Sequence, residues 1–146
     1  MTPDAARAAT LVRALHASIA HDVGAVGDVY TEDVRAWTPA MSTASLTELK
    51  HEFERRDDAF SDIELEVSPL EVGGEYACVE WTVSMTHIGQ IEVADGKVVD
   101  PTGVRVTLHG ITVAEFRGDR ICSLRQYWDE LTVFDQLWLL PDGVPR

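Results

Sequence analysis

The feature that most constrains this fold is a change in the spacing of apolar residues near residue 61. Before it, apolar residues recur every three or four positions, as on one face of a helix; after it, they alternate with polar residues, as in a half-buried strand. Helices followed by consecutive antiparallel strands predict a single α+β domain over residues 1–146. We expect the N-terminal helices to pack on a strongly curved, mostly antiparallel sheet and to enclose a conical cavity suited to a small apolar ligand.

The predicted helices cover residues 4–21, 23–30 and 42–59. Ser45 lies three residues before Glu48, which is the capping-box spacing that marks a helix start. Residues 34–39 are predicted to be extended, because the residue before Pro39 avoids the helical region. Residues 131–140 are predicted to form one or two final helical turns.

The predicted strands have two distinct faces. In the strand over residues 75–88, one face carries Ala77, Val79, Trp81, Val83, Met85 and His87. In the strand over residues 104–116, one face carries Val104, Val106, Leu108, Gly110, Thr112, Ala114 and Phe116. Gly118-Asp119 is predicted to be a compact hairpin turn, from which a last strand begins at Arg120.

The hairpin turn fixes a register for the last two strands. If the loop has two residues, Arg117 lies opposite Arg120, and counting outward places Leu108 opposite Asp129. Asp129, Tyr127 and Arg125 then share the apolar, cavity-facing side, while His109 points to the outer side next to Trp128. A bulge in either strand would reverse this assignment, because one extra residue exchanges the two faces.

Charge and composition exclude several classes of function. The sequence has 25 acidic residues against 12 Lys and Arg, a formal charge of −13, so neither a nucleic acid nor an anionic membrane is an expected partner. No basic start with an apolar run suggests a secretory signal, and no run of about 20 apolar residues suggests a membrane span. We expect a cytoplasmic protein whose Cys78 and Cys122 are reduced core thiols, unless their strands are neighbours. No metal-ligand spacing is visible.

Asp129 is the first candidate for a functional group. It directly follows Tyr127 and Trp128, so its carboxylate is expected to lie between aromatic surface and water, an environment that suits a general acid or base. The alternative is that Asp129 only caps the helical segment that follows it. From the local sequence, both interpretations stay open.

Three patches carry a resemblance to a known family. Residues 85–89, Met-Thr-His-Ile-Gly, are similar to a strand-end Thr-His-x-Gly. Residues 101–116 are similar to a Pro-x-Gly-Arg-x-Val strand that ends in Phe. Residues 125–140 are similar to a Tyr-x-Asp followed by Leu-x-x-Gln-Leu-Gly. Over residues 8–140 the order of elements also matches, and the chain resembles the SnoaL-like polyketide cyclases. These belong to the nuclear-transport-factor-like superfamily, with the ketosteroid isomerases and limonene-epoxide hydrolases.

The resemblance implies a cone-shaped α+β barrel, a pocket without a cofactor and a homodimer formed through the outer face of the sheet. It also implies that Asp129 acts as the general acid/base of an aldol closure. Trp138 stands where the family has the Gly of Gln-Leu-Gly, so we expect it to narrow the mouth of the cavity.

Other residues are assigned roles around Asp129. Tyr127 is either a hydrogen-bond donor to the developing enolate oxygen or a wall of the pocket. Arg125 either binds a substrate carboxylate or pairs with Asp129. His87 is either catalytic or a structural residue that hydrogen-bonds the next loop, and His109 is a weaker candidate. The expected substrate-binding wall, which can equally be core, consists of Tyr30, Trp37, Trp81, Met85 and Leu108.

Three functions follow from these assignments. The first is a cofactor-independent cyclase or isomerase that acts on a hydrophobic, polyketide-like substrate in natural-product or antibiotic biosynthesis. The second is an epoxide hydrolase of the same fold, against which stands the absence of any Asn to position water. The third is a non-catalytic, dimeric module that binds a small ligand.

Overall fold

The computed structural model describes residues 2–92 and 96–137 and shows four helices beside a large sheet. The helices are α1 (Pro3–Ile19), α2 (Val23–Val29), α3 (Leu46–Ala59) and α4 (Glu130–Gln136). The strands are β1 (Tyr30–Thr38), β2 (Met41–Thr43), β3 (Phe60–Leu70), β4 (Tyr76–His87), β5 (Ile91–Glu92), β6 (Val98–Val99), β7 (Arg105–Arg117) and β8 (Arg120–Trp128). The prediction for Trp138, and the part of the predicted C-terminal helical segment over residues 138–140, lie outside the described residues.

Six strands form one sheet in the order β2-β1-β8-β7-β4-β3. β1 and β8 run parallel, and the other neighbouring pairs run antiparallel. β5 and β6 form a separate two-stranded ribbon. Helices α1 and α3 contact strands of the large sheet, and their apolar faces join its inner face in one core. The predicted α+β architecture with a mostly antiparallel curved sheet is confirmed.

Local signals in the sequence account for the ends of the helices. The backbone N–H of Glu48 donates to Ser45 Oγ at 3.2 Å, as the capping box predicts. The third helix nevertheless begins at Leu46 and not at residue 42, because Thr38 Oγ1 accepts the backbone N–H groups of Ala40 and Met41, each at 3.1 Å. This turn sends residues 41–43 back along β1 as strand β2.

The predicted register of β7 and β8 is right at the turn and wrong beyond it. Arg117 lies opposite Arg120 and Phe116 opposite Ile121, but a bulge then places Glu115 opposite Ser123, leaving Cys122 as the extra residue. One added residue exchanges the two faces of a strand. From Ser123 onward, the side chains predicted to face the cavity therefore face outward, and their neighbours face inward.

The two cysteines are free thiols in strands that are not neighbours, since β7 lies between β4 and β8. Burial raises the pKa of both the Cys78 and the Cys122 thiols, and nearby Glu80 and Glu115 raise them further. Cys78 is a core residue, as expected, whereas Cys122 is only half-buried; that both are reduced stays a prediction. Within the described residues, no helix has the length and apolarity to cross a membrane.

Candidate active site

A cavity of about 840 Å³ lies between the inner face of the sheet and the helices. Its apolar wall comes from β3, β4 and β7, with α1 and α3 opposite, and the turn after β1 and helix α4 complete its edge. Three of the predicted substrate-binding residues line it: Trp81, Met85 and Leu108. A cavity of this volume, with an apolar wall and a few polar groups, is typical of a site for a small organic molecule.

Trp81 reaches across the sheet because its neighbour on β7 has no side chain. Gly110 lies opposite Trp81, and a Cβ atom at Gly110 would come within 2.3 Å of the indole ring. The indole N–H of Trp81 donates to the buried Oγ1 of Thr112 at 2.9 Å. Gly110 and Thr112 thus fix one aromatic wall of the cavity, and the ring of Trp128 meets Trp81 edge-on with centroids 6.1 Å apart.

Glu130 is a carboxylate of the cavity wall that the sequence analysis does not identify. The indole N–H of Trp128 donates to Glu130 Oε2 at 2.7 Å, and both residues line the cavity. Gln126, two residues before Trp128 on the same face of β8, also lines it. Within the described residues, the side-chain amide of Gln126 has no hydrogen-bond partner, so it is free to bind a ligand oxygen. A signal for this face existed: the apolar residues Ile121 and Leu124 are three apart, which breaks strand alternation.

Asp129 lies at the surface and outside the cavity wall. It is the N-cap residue of α4, and its Oδ1 accepts the backbone N–H of Leu131 at 3.0 Å. The capping alternative is therefore what the geometry shows. Proton transfer by Asp129 stays a sequence-based prediction, and the placement in the cavity on which that prediction depended is wrong because of the bulge.

The bulge also turns Tyr127 and Arg125 to the outer face. Tyr127 is 45% exposed and its ring packs against Trp37, which is 41% exposed, with centroids 5.2 Å apart. Trp37 lies beside Arg125 in the parallel pairing of β1 with β8. The prediction that Trp37, Arg125 and Tyr127 line the pocket is wrong, and together they form part of an exposed surface.

His109 faces the outer side of the sheet, as the register predicted. Its Nδ1 is 2.9 Å from Thr82 Oγ1 on the neighbouring strand. The predicted contact with Trp128 is wrong, because the bulge turns Trp128 inward while His109 keeps its outward direction. His109 therefore lies on the opposite side of the sheet from the cavity.

His87 is fully buried and holds the loop that leads into β7. The backbone N–H of Thr102 donates to His87 Nδ1 at 3.2 Å, and Thr102 Oγ1 lies 2.9 Å from the same nitrogen. Two residues later, a Cβ at Gly89 would meet the backbone oxygen of Asp58 at 2.0 Å. The geometry matches the structural alternative for His87, and it explains why glycine follows it where the chain crosses the end of α3.

Tyr30, predicted to bind substrate, is a core residue that is 1% exposed and lies outside the cavity wall. Burial raises the pKa of its phenol well above the usual range, an effect that the nearby Arg56 guanidinium partly offsets. Tyr30 is thus a neutral core side chain.

Arg56, at the edge of the cavity, is held by contacts with α1 and with its neighbours on α3. Arg56 Nη2 donates to the backbone oxygen of Ser18 at 2.7 Å and to Asp57 Oδ1 at 3.0 Å, and its guanidinium lies over the ring of Phe53. These contacts join α3 to the C-terminal part of α1. Across residues 2–92 and 96–137, no group of three or more His, Cys, Asp or Glu side chains is arranged to hold a metal ion.

Comparisons with known proteins agree with this fold. The family model of the SnoaL-like domain matches residues 11–124, well over half of the chain. Among proteins with curated descriptions, none matches the sequence significantly.

Solved structures with the same fold cover nearly the whole chain. AclR from Streptomyces galilaeus, a candidate hydroxylase, is 22% identical with a TM-score of 0.77, covering 94% of this chain and 99% of its own. IdmH from Streptomyces antibioticus, a candidate polyketide cyclase, is 17% identical with a TM-score of 0.74, covering 90% and 98%. An epoxide hydrolase from M. tuberculosis is 15% identical with a TM-score of 0.71, covering 94% and 92%. At these identities the likeness shows the fold, and different activities share it.

Proposed function

This chain belongs to the SnoaL-like domain family, and from that premise we propose that it is a cofactor-independent cyclase or isomerase. Its substrate is a hydrophobic, polyketide-like molecule of natural-product biosynthesis. The observation that carries the proposal is the carboxylate of Glu130, held at 2.7 Å by the indole N–H of Trp128 in the wall of an aromatic cavity. A carboxylate fixed against apolar surface is suited to proton transfer to and from carbon.

The first chemical step is removal of a proton from a carbon next to a carbonyl group. Glu130 accepts that proton, and the electron pair of the C–H bond passes to the carbonyl oxygen to give an enolate. The free amide of Gln126 supplies an N–H donor for that oxygen, which stabilises the charge where it develops. The Trp128 hydrogen bond occupies Oε2 of Glu130, so Oε1 is the atom that receives the proton.

The second step decides between the two reactions. In an isomerisation, the substrate carries a C=C bond next to the carbon that loses its proton, so the enolate is conjugated with it. Glu130 then returns the proton to the far carbon of this conjugated system, and the C=C bond shifts by one position. In a cyclisation, the enolate carbon attacks a second carbonyl carbon of the same molecule, a carbon–carbon bond forms, and Glu130 gives its proton to the resulting alkoxide. Both routes regenerate the carboxylate and leave the atoms balanced. We thereby assign the acid/base role to Glu130, one residue after Asp129, which the sequence analysis had proposed.

The proposal is tested with 2-tetralone, a bicyclic ketone that has exchangeable protons beside its carbonyl group. In D₂O, we expect the protein to accelerate deuterium exchange at these carbons above the buffer rate, as followed by NMR. Exchange no faster than in buffer contradicts the proposal. Incubation with limonene oxide tests the hydrolase alternative: conversion to a diol would favour epoxide hydrolysis, for which the edge of the cavity offers Glu52 and Glu92 as further acids.

We also propose that two copies of the chain associate through the outer face of the sheet. The exposed pair Trp37 and Tyr127 supports this, together with half-buried Ile111 and Val113 on the neighbouring strand. Aromatic side chains in an exposed apolar patch are typical of interfaces between proteins.

A further inference from the structure

The pairing of strand β8 with strand β7 stops before β7 itself ends. The last pair of β7 with β8 is Gly110 opposite Trp128, and β7 continues backward to Arg105. Thr107 lies in this extension and pairs with Ser84 of β4 on one side. On the other side no residue of β8 is opposite it, so its backbone N–H and C=O need another partner.

The side-chain amide of Gln136 is that partner. The backbone N–H of Thr107 donates to Gln136 Oε1 at 2.7 Å, and Gln136 Nε2 donates to the backbone oxygen of Thr107 at 2.8 Å. Gln136 Nε2 also lies 3.2 Å from the backbone oxygen of Thr132, one turn earlier in α4. The amide thus makes the same reciprocal pair of hydrogen bonds as a residue of a neighbouring antiparallel strand.

Few side chains can make this pair. A primary amide carries a donor and an acceptor on one carbon, whereas a carboxylate accepts only and a thioether does neither well. Asparagine has the same amide on a side chain that is one methylene shorter. The reciprocal pairing therefore depends on the chemical type of residue 136 and not merely on its volume.

The pairing matters because α4 forms part of the cavity wall. Glu130, Val133 and Phe134 of this helix line the cavity. A helix of seven residues is too short to be stable by itself, so its position depends on contacts with the rest of the fold. Asp129 caps the start of α4, and Gln136 ties its end to β7.

We propose that Gln136 is a positioning residue that fixes α4 against the unpaired edge of β7 and so holds Glu130 in the cavity wall. Its effect on turnover rests on the function proposed above. Its effect on the position of α4 does not, and the two are measured separately.

The test compares three variants by NMR. Gln136→Met keeps a similar volume without the two hydrogen bonds, Gln136→Glu keeps the acceptor, and Leu131→Ala on an exposed position of α4 is the control. We expect hydrogen exchange of the Thr107 amide to rise at least about tenfold in Gln136→Met, since its partner is lost. The indole N–H signal of Trp128 should shift toward its position in Glu130→Ala, because the carboxylate is no longer held. Leu131→Ala should change neither signal.

Gln136→Glu gives a second test, which does not depend on whether Gln136→Met folds. Its ionised carboxylate cannot donate to the Thr107 oxygen, but its protonated form can. Glu130, the partner of the Trp128 indole, is also a carboxyl group, so Gln136→Glu and the wild type are compared at the same pH. We therefore expect the difference between their Trp128 signals to shrink as the pH falls toward the ordinary glutamate pKa of about 4.3. If Gln136→Met does not fold, the pH-dependent recovery in Gln136→Glu decides whether residue 136 positions α4.

The positioning role is overturned if Gln136→Met keeps both the slow Thr107 exchange and the wild-type Trp128 signal, or if Gln136→Glu shows no recovery. Measurements of 2-tetralone exchange test the proposed function separately from the positioning role of Gln136. If Gln136→Met moves the Trp128 signal while Glu130→Gln leaves 2-tetralone exchange unchanged, the positioning role stands and the acid/base role of Glu130 is wrong. If the positioning role is right and Glu130 is the base, Gln136→Met lowers kcat for 2-tetralone exchange more than it raises KM.

Discussion

The indole nitrogen of Trp128 and Oε2 of Glu130 lie 2.7 Å apart, although one residue ends a strand and the other begins a helix. The side chain of Asp129, between them, turns away and caps that helix. Within three consecutive residues, the chain thus places one carboxylate at the surface and another in the cavity wall. A hydrogen bond to a carboxylate is stronger than one between neutral groups, so Trp128 holds Glu130 in one orientation.

Removing the indole donor should impair proton transfer without unfolding the protein. We expect Trp128→Phe to slow 2-tetralone exchange by about tenfold, since the hydrogen bond of a charged group contributes roughly 1.5–3 kcal/mol. Trp37→Phe, the same change on the outer face, is the matched control and should leave exchange at the wild-type rate. Equal effects of the two substitutions would argue against a role for the Trp128–Glu130 pair.

A methyl group at Gly110 should disturb the aromatic wall. Gly110→Ala places a carbon within 2.3 Å of the Trp81 ring, which must move away from Thr112 and lose its hydrogen bond. We expect the free energy of unfolding to fall by about 1–3 kcal/mol in urea titrations. Gly73→Ala is the control, because a Cβ at Gly73 would meet no atom within 4 Å. A Gly110→Ala protein as stable as Gly73→Ala would contradict this account of the wall.

The buried phenol of Tyr30 should make the protein sensitive to alkali. Its pKa is raised in the folded state, so folding favours the protonated phenol. This contribution is fully present below the unfolded-state pKa of about 10 and is lost as the pH rises above it toward the folded-state pKa. Urea titrations at increasing pH should show a smaller loss of stability above pH 10 for Tyr30→Phe than for the wild type. Parallel pH profiles for the two proteins would exclude Tyr30 as the titrating group.

The outer face should tolerate loss of the Tyr127 hydroxyl but not the addition of charge. Tyr127→Phe is expected to leave 2-tetralone exchange unchanged, because the ring packs on Trp37 away from the cavity. Tyr127→Glu is expected to weaken self-association, as measured by analytical ultracentrifugation, since a carboxylate would be buried between apolar surfaces. Val23→Glu, at an exposed position on α2, is the control. A wild-type protein that is monomeric at all concentrations tested would contradict the proposed pairing of copies.

Much of the fold could be predicted because it depends on local patterns. The alternation along Ala77, Val79 and Trp81 identifies the inner face of β4. The capping box at Ser45 marks the N-cap of α3 correctly, although the predicted helix begins too early, at residue 42. These signals come from residues close together in sequence, where burial on one face imposes a regular period.

The candidate site was predicted less well because it depends on one inserted residue. The turn at Gly118 gave the right pairing for Phe116 with Ile121, but the bulge at Cys122 exchanged the faces of everything that followed. A bulge is a property of two paired strands and leaves only a weak trace in one of them, here the spacing of Ile121 and Leu124. The register without the bulge therefore places Asp129 in the cavity, whereas the adjacent Glu130 is the acid that lines it.

These adjacent acids allow the most direct test of the central claim, which is that Glu130 transfers the proton. Glu130→Gln and Asp129→Asn each remove one ionisable group with little change in shape, and 2-tetralone exchange in D₂O is measured for both beside the wild type. We predict that Glu130→Gln reduces exchange to the buffer rate, whereas Asp129→Asn, which keeps a capping oxygen, retains it. Full exchange in a folded Glu130→Gln protein, or its loss in a folded Asp129→Asn protein, would contradict the account.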